Sequence, residues 1–176
     1  MFLKAFKEKS NKKIINSLLN SREVFVDSSK VEHLGVLLNV GESNDFEAFR
    51  KLADEMNILP NKLKIVAFSN NDKSESNFWD TCFTPKDFGW SGTTSNRELK
   101  TFLETSFDVL ISYYAEDLLE LKMITAQSQA KFKVGIFLKD DRLNDLIIKT
   151  PVNQFGLFKK ELIKYLTIFK KLKHAK

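Results

Sequence analysis

Three runs of nearly unbroken apolar residues, LGVLLNV (34–40), KIVAFS (64–69) and FDVLISYY (107–114), constrain this chain more than any other feature. A strand with one wet face alternates apolar and polar residues, whereas a strand covered on both faces is apolar throughout. These runs therefore call for a sheet enclosed between two layers. The segments between them supply the layers. Phe46, Phe49, Leu52, Ala53 and Met56 recur at helical spacing behind the candidate caps Ser43, Asn44 and Asp45, and the pattern stops at Pro60. Ser95 and Glu98 stand in capping-box spacing ahead of Leu99, Phe102 and Leu103. Residues 115–130 read as a largely buried helix, and the closing helix (152–173) carries Phe155, Phe158, Leu162, Tyr165, Leu166, Phe169 and Leu172 on one face.

Shorter signals complete the order. An amphipathic helix is expected over 2–20, with its apolar stripe interrupted by KEKSNKK, and a short strand at Val24–Val26. TCF (81–83) reads as another short strand, ended by Pro85 and Gly89. KVGIFL (133–138) and DLIIKT (145–150) are joined by KDDRLN, a length that suits an antiparallel hairpin. The predicted fold class is α/β: a three-layer sandwich with a mixed, mostly parallel sheet, an antiparallel edge hairpin and amphipathic helices at both termini, all in a single domain over 1–176. A chain of this length removes roughly 70% of its unfolded surface from water.

Charge is distributed unevenly. Residues 1–22 hold six basic side chains against Glu8 alone, a net +5, and residues 159–176 hold seven lysines against Glu161, a net +6. The stretch between them carries a net −6. Two positive poles on an acidic body suit an acidic partner, and they would merge into one patch if the termini lie together. Lys9, Lys12, Lys13, Lys159, Lys160 and Lys164 are the candidate contacts for RNA or the ribosome. Arginine is scarce, at four residues, so the expected contact is with phosphate rather than with base edges.

No residue set carries a reaction. Cys82 is the lone cysteine, which excludes an intramolecular disulfide and, with only two histidines, a structural zinc site. Inside an apolar run it reads as a small hydrophobe rather than a nucleophile. Asp72, Asp80, Asp87, Asp108, Asp140 and Asp141 form no spaced pair with a histidine, His33 has no evident partner, and Asp108 at a strand start reads as a cap. No metal or cofactor is expected. Phe88 and Trp90 stand in the loop DFGWSGTT (87–94) and are read as covering one end of the sheet.

FDVLISYY, the helix AEDLLELKMITAQSQA with the strand KFKVGIF, then DLIIKT and FKKELIKYL resemble an uncharacterised bacterial family of small soluble α/β proteins without assigned activity. The resemblance implies one domain and a bacterial cytoplasmic origin, and it transfers no functional residue. The leading expectation is a non-enzymatic cytoplasmic binding protein that meets RNA, the ribosome or another acidic partner through its terminal helices. A second expectation is a small nucleotide- or metabolite-binding enzyme or sensor with a pocket at the carboxyl ends of the strands, lined by Asn39, Gly41, Ser43, Ser69, Asn70 and Tyr113. Peripheral attachment to an anionic membrane through helix 2–20, with Phe2, Leu3 and Phe6 entering the interface, is a third. The lysine-rich start MFLKAFKEKSNKK does not read as a secretory signal, so a cytoplasmic location is expected.

Overall fold

The apolar runs become parallel strands of one sheet in a computed structural model that describes residues 1–24, 27–70 and 81–173. In chain order the elements are α1 (Phe2–Ser21), β1 (Leu34–Asn39), α2 (Phe46–Glu55), β2 (Leu63–Phe68), β3 (Thr81–Phe83), α3 (Arg97–Glu104), β4 (Val109–Tyr113), α4 (Leu119–Gln127), β5 (Phe132–Gly135), β6 (Leu146–Ile147) and α5 (Phe155–Ile168). Short 3-10 turns at Pro60–Lys62, Pro85–Asp87 and Trp90–Gly92 join them. The strand expected at Val24–Val26 falls largely outside the described residues.

The six strands lie in the order β3-β2-β1-β4-β5-β6, and every neighbouring pair is parallel. β1 is central, with Leu34 opposite both Leu63 and Val109. Alternation along each strand divides the core into two. Val36, Leu38, Ile65, Ala67, Val109, Ile111 and Val134 face α2 and α5, where they meet Phe49, Leu52, Phe158 and Leu162. Leu37, Val66, Phe68, Leu110 and Phe137 face α1, α3 and α4, where they meet Ile15, Leu19, Leu99, Phe102 and Leu121. Burial on both faces is the reason the strands are apolar at every position rather than at alternate ones.

The antiparallel edge hairpin is not formed. β5 and β6 pair in parallel, Val134 with Leu146 and Gly135 with Ile147, so residues 136–145 carry the chain back to the starting end of the sheet. A parallel return usually takes a dozen or more residues, but both strands are so short that this loop suffices. Contacts between this loop and the rest of the chain hold it. Leu143 is fully buried beneath the loop, and the Asn144 amide lies over Gly135, where a Cβ would come within 2.5 Å of it. Asp145 donates its N–H to the Lys133 carbonyl (2.8 Å), accepts the Lys133 N–H (2.7 Å) and binds the Arg22 guanidinium at the end of α1.

The helix starts are cut by different caps than the sequence suggests in one case of two. Asp45 accepts from the Ala48 N–H (3.0 Å) and opens α2 as expected. At α3 the cap is Asn96, accepting from the Leu99 N–H (3.1 Å), and not Ser95. The helix expected over 115–130 shortens to Leu119–Gln127, and ahead of it Ala115 and Glu116 bind the β1 exit turn instead.

Candidate functional site

The two basic helices cover opposite faces of the sheet. α1 anchors through Asn11, Ile15 and Leu19 on the α4 side, and α5 through Phe158, Leu162 and Leu166 on the α2 side. The single merged patch is therefore not assembled. Asn11 accepts from the Gly92 N–H (3.0 Å), and Gly92 holds a left-handed φ of 67° with Gln127 donating to its carbonyl (2.8 Å). A side chain at position 92 would strike both Gln127 and Met123, so glycine is what lets the 90–92 turn dock against α1 and α4.

The six candidate lysines differ in state. Lys159 is spent on Glu55 of α2 (2.8 Å), and Lys164 on Glu161 (3.0 Å) while lying 5.0 Å over the Tyr165 ring. Lys160 is exposed on α5. Lys9, Lys12 and Lys13 are exposed on α1 and form no ion pair among the described residues. Upstream, Phe2, Leu3 and Phe6 are 88%, 72% and 61% exposed, so these three apolar side chains stay largely in solvent. Lys7 differs from its neighbours, donating to the Phe88 carbonyl and tying the helix down. The sequence offers Phe2, Leu3 and Phe6 only as candidates for a membrane interface on a helix whose apolar stripe is interrupted. The helical wheel agrees with their exposure, since Phe2 and Phe6 share the outward side with Lys9 and Lys13, away from Ile15 and Leu19.

The strand-exit candidates occupy the point where strand order reverses, between β1 and β4. Asn39 is buried and directs its amide to Glu42 (3.1 Å) and Glu116 (3.0 Å), while its oxygen accepts from the Gly41 N–H (3.1 Å). Glu42 in turn accepts from the backbone N–H groups of Ala115 and Glu116 at 3.0–3.1 Å. A carboxylate of the chain thus fills the backbone donors that a phosphate would take. Ser43 is half-buried in the same turn, Ser69 is buried at the end of β2, and Asn70 is exposed beyond it. Tyr113 turns to the α5 face, fully buried, with its hydroxyl donating to the Val152 carbonyl (2.7 Å). Burial pushes this phenol up to about 12. The six residues do not converge on one space.

The remaining candidates take structural positions. Asp108 accepts from the N–H groups of Glu32 (3.0 Å) and His33 (2.9 Å) and from Lys131 (2.7 Å), which fixes the chain entering β1. Its carboxyl is held below the usual range by these donors despite partial burial. His33 does have partners: Lys62 at 2.9 Å and, more distantly, Asp108 at 3.7 Å. Asp140 organises its turn through Arg142, and Asp87 caps the turn at Pro85–Asp87. Cys82 is half-buried on β3. Phe88 packs on Phe83 as expected of a sheet cover, while Trp90 is 47% exposed. Asp72 and Asp80 lie outside the described residues. Among the described residues no three His, Cys, Asp or Glu side chains gather in a way that could hold a metal ion, and no helix is long and apolar enough to cross a membrane.

A parallel six-stranded sheet layered by helices on both faces defines an α/β sandwich whose order reverses beside its first strand. By sequence the chain belongs to a family of unknown function (DUF6913), which matches residues 7–169. The match takes in all six candidate lysines and begins after Phe2, Leu3 and Phe6. No curated protein and no solved structure matches the chain significantly.

Proposed function

We propose that this protein is a non-enzymatic binding protein that meets a phosphate-bearing acidic partner, RNA or the ribosome, through the outward side of α1. The observation that carries this reading is the state of Lys9, Lys12 and Lys13, which stand exposed and in no ion pair among the described residues, Lys9 and Lys13 on the side of the helix opposite its anchor and Lys12 on its flank. Lys160 adds a cation on the far face, but Lys159 and Lys164 are already neutralised, so α5 contributes less than its sequence charge suggests. A bacterial cytoplasmic setting accompanies the reading, supported by the family resemblance and by a single, unbridged cysteine. The strand-exit pocket loses ground because Glu42 occupies its backbone donors.

One observation favours a second reading, an anionic bilayer surface: the exposure of Phe2, Leu3 and Phe6 directly ahead of the lysines. The test separates them. Replacing Lys9, Lys12 and Lys13 with glutamate is expected to abolish co-sedimentation with ribosomes at 50 mM salt, and wild-type binding should weaken steeply toward about 200 mM as counterions are released. Flotation with vesicles of phosphatidylglycerol and phosphatidylcholine, abolished by Phe2→Ser with Phe6→Ser, would transfer the partner to the membrane. Absence of the wild-type protein from both fractions at low salt would refute an acidic partner for α1.

A further inference from the structure

A groove of about 550 Å³ lies on the face away from α1, where the carboxyl ends of α2 and α5 come side by side. Both helices stop in left-handed turns, at Asn57 and Lys170, each with φ 57°. In both, a backbone N–H beyond the turn reaches back into the helix: Ile58 to the Ala53 carbonyl (2.9 Å) and Lys171 to the Leu166 carbonyl (2.8 Å). The groove between the two turns has an apolar floor of Met56, Ile163 and Leu172. Its rim is cationic, made by Lys30, Lys170 and Lys173.

The charge on this rim exceeds what the fold consumes. Lysines near a helix carboxyl end ordinarily answer its dipole, and Lys30 does so by donating to the Lys170 carbonyl (2.6 Å). Lys173 bridges to Glu32 (3.0 Å), while Lys170 makes no ion pair among the described residues. An ammonium carries three donors, so Lys30 and Lys173 each keep protons for a further acceptor. Among the described residues Glu55 is the one carboxylate lining the groove, and Lys159 already pairs with it at 2.8 Å. The result is a concave, partly apolar space with unspent positive charge at its edge. Its volume falls within the range of small-molecule sites, about 300–1,000 Å³.

We infer that this groove is a binding site for a small amphipathic acid, whose apolar body lies on Met56, Ile163 and Leu172 and whose carboxylate meets Lys170 at the rim. A polyanion does not suit the apolar floor, and a neutral hydrophobe leaves the Lys170 ammonium unanswered. The inference stands apart from the reading of α1, which covers the opposite face of the sheet.

Decanoate is a suitable probe, with decanol as the tail without charge and acetate as the charge without tail. In backbone-amide NMR titrations of the full chain, decanoate should shift the amides of residues 55–58 and 163–173, and acetate and decanol should bind at least tenfold more weakly. Lys170→Glu is expected to weaken decanoate about tenfold while lowering the thermal midpoint by no more than about 4 °C, since that side chain is exposed and gives up only its favourable place at the helix end. Thr167→Trp, which places a bulky group from an exposed position into the groove, should abolish the shifts. No shift up to millimolar decanoate, shifts on α1 instead, or equal binding by Thr167→Trp would overturn the assignment.

Discussion

Lys133 on β5 has no solvent exposure, and its ammonium donates to the Thr125 carbonyl at 2.6 Å, with that of Ala126 at 3.4 Å, at the end of α4. Desolvation, with some help from the Arg22 charge and against the pull of Asp145, brings its pKa down from 10.5 to about 7. Above the unfolded value both states hold a neutral amine. Between 10.5 and 7 the unfolded chain takes up a proton that the folded chain refuses, so this lysine makes the fold less stable as pH falls through that window. Raising pH from 7 to 9 should therefore stabilise the wild type by on the order of 2 kcal/mol through this group, and Lys133→Met should lack the gain in urea denaturation. The comparison belongs below pH 10, because the unfolded chain releases the Tyr113 proton near 10 whereas burial holds it in the fold to about 12, so between those values this phenol lowers stability as pH rises.

At the scale of the element, each helix is held by a few fully buried side chains and tolerates its solvent side freely. On α5, Phe158 and Leu162 are 0% exposed and Phe158 meets the Tyr113 ring edge-on at 4.8 Å, while Lys160 stands in solvent. Phe158→Ala and Leu162→Ala are each expected to cost about 2–5 kcal/mol, against less than about 0.5 kcal/mol for Lys160→Ala. Chemical denaturation of the three variants measures this, and equal losses would contradict the helix orientation. The edge of the sheet offers a second case. Asp145 joins α1, β5 and β6 by accepting from Arg22 and from the Lys133 N–H, so Asp145→Ala leaves a guanidinium and a backbone donor unanswered. A loss of about 1–3 kcal/mol is expected, with faster amide exchange at Leu146 and Ile147 than elsewhere in the sheet.

The whole molecule depends on α1 to close one layer. Ile15 and Leu19 are 5% and 7% exposed against the α4 side, whereas the first two turns of the same helix are open. Ile15→Ser with Leu19→Ser should release α1, seen as rapid proteolytic cleavage within residues 1–21 and as self-association through the uncovered face. A helix that stayed protected in this variant would show that the Asn11–Gly92 and Lys7–Phe88 contacts alone dock it.

The sequence by itself determined the layered α/β class, the central strands at 34–40, 64–69 and 107–114, and the apolar face of the closing helix, because burial on two faces and helical periodicity are both written in local order. Asp108 reads from its place before a strand as a strand-edge or capping residue, but the partners it takes there, the N–H groups of Glu32 and His33 and the ammonium of Lys131, come from distant segments. What only the tertiary structure decided were relations between distant segments. The direction of β6 rests on the tertiary contacts of Leu143, Asn144 and Asp145 with Gly135, Lys133 and Arg22, which the length and composition of the turn do not encode. The separation of the basic helices follows from which face of the sheet each apolar stripe covers, a choice that charge patterning does not encode. The strand-exit residues illustrate the same limit: Asn39 and Glu42 sit three positions apart, yet their meeting with Ala115 and Glu116, which fills the turn with a carboxylate, arises only when β1 and β4 become neighbours.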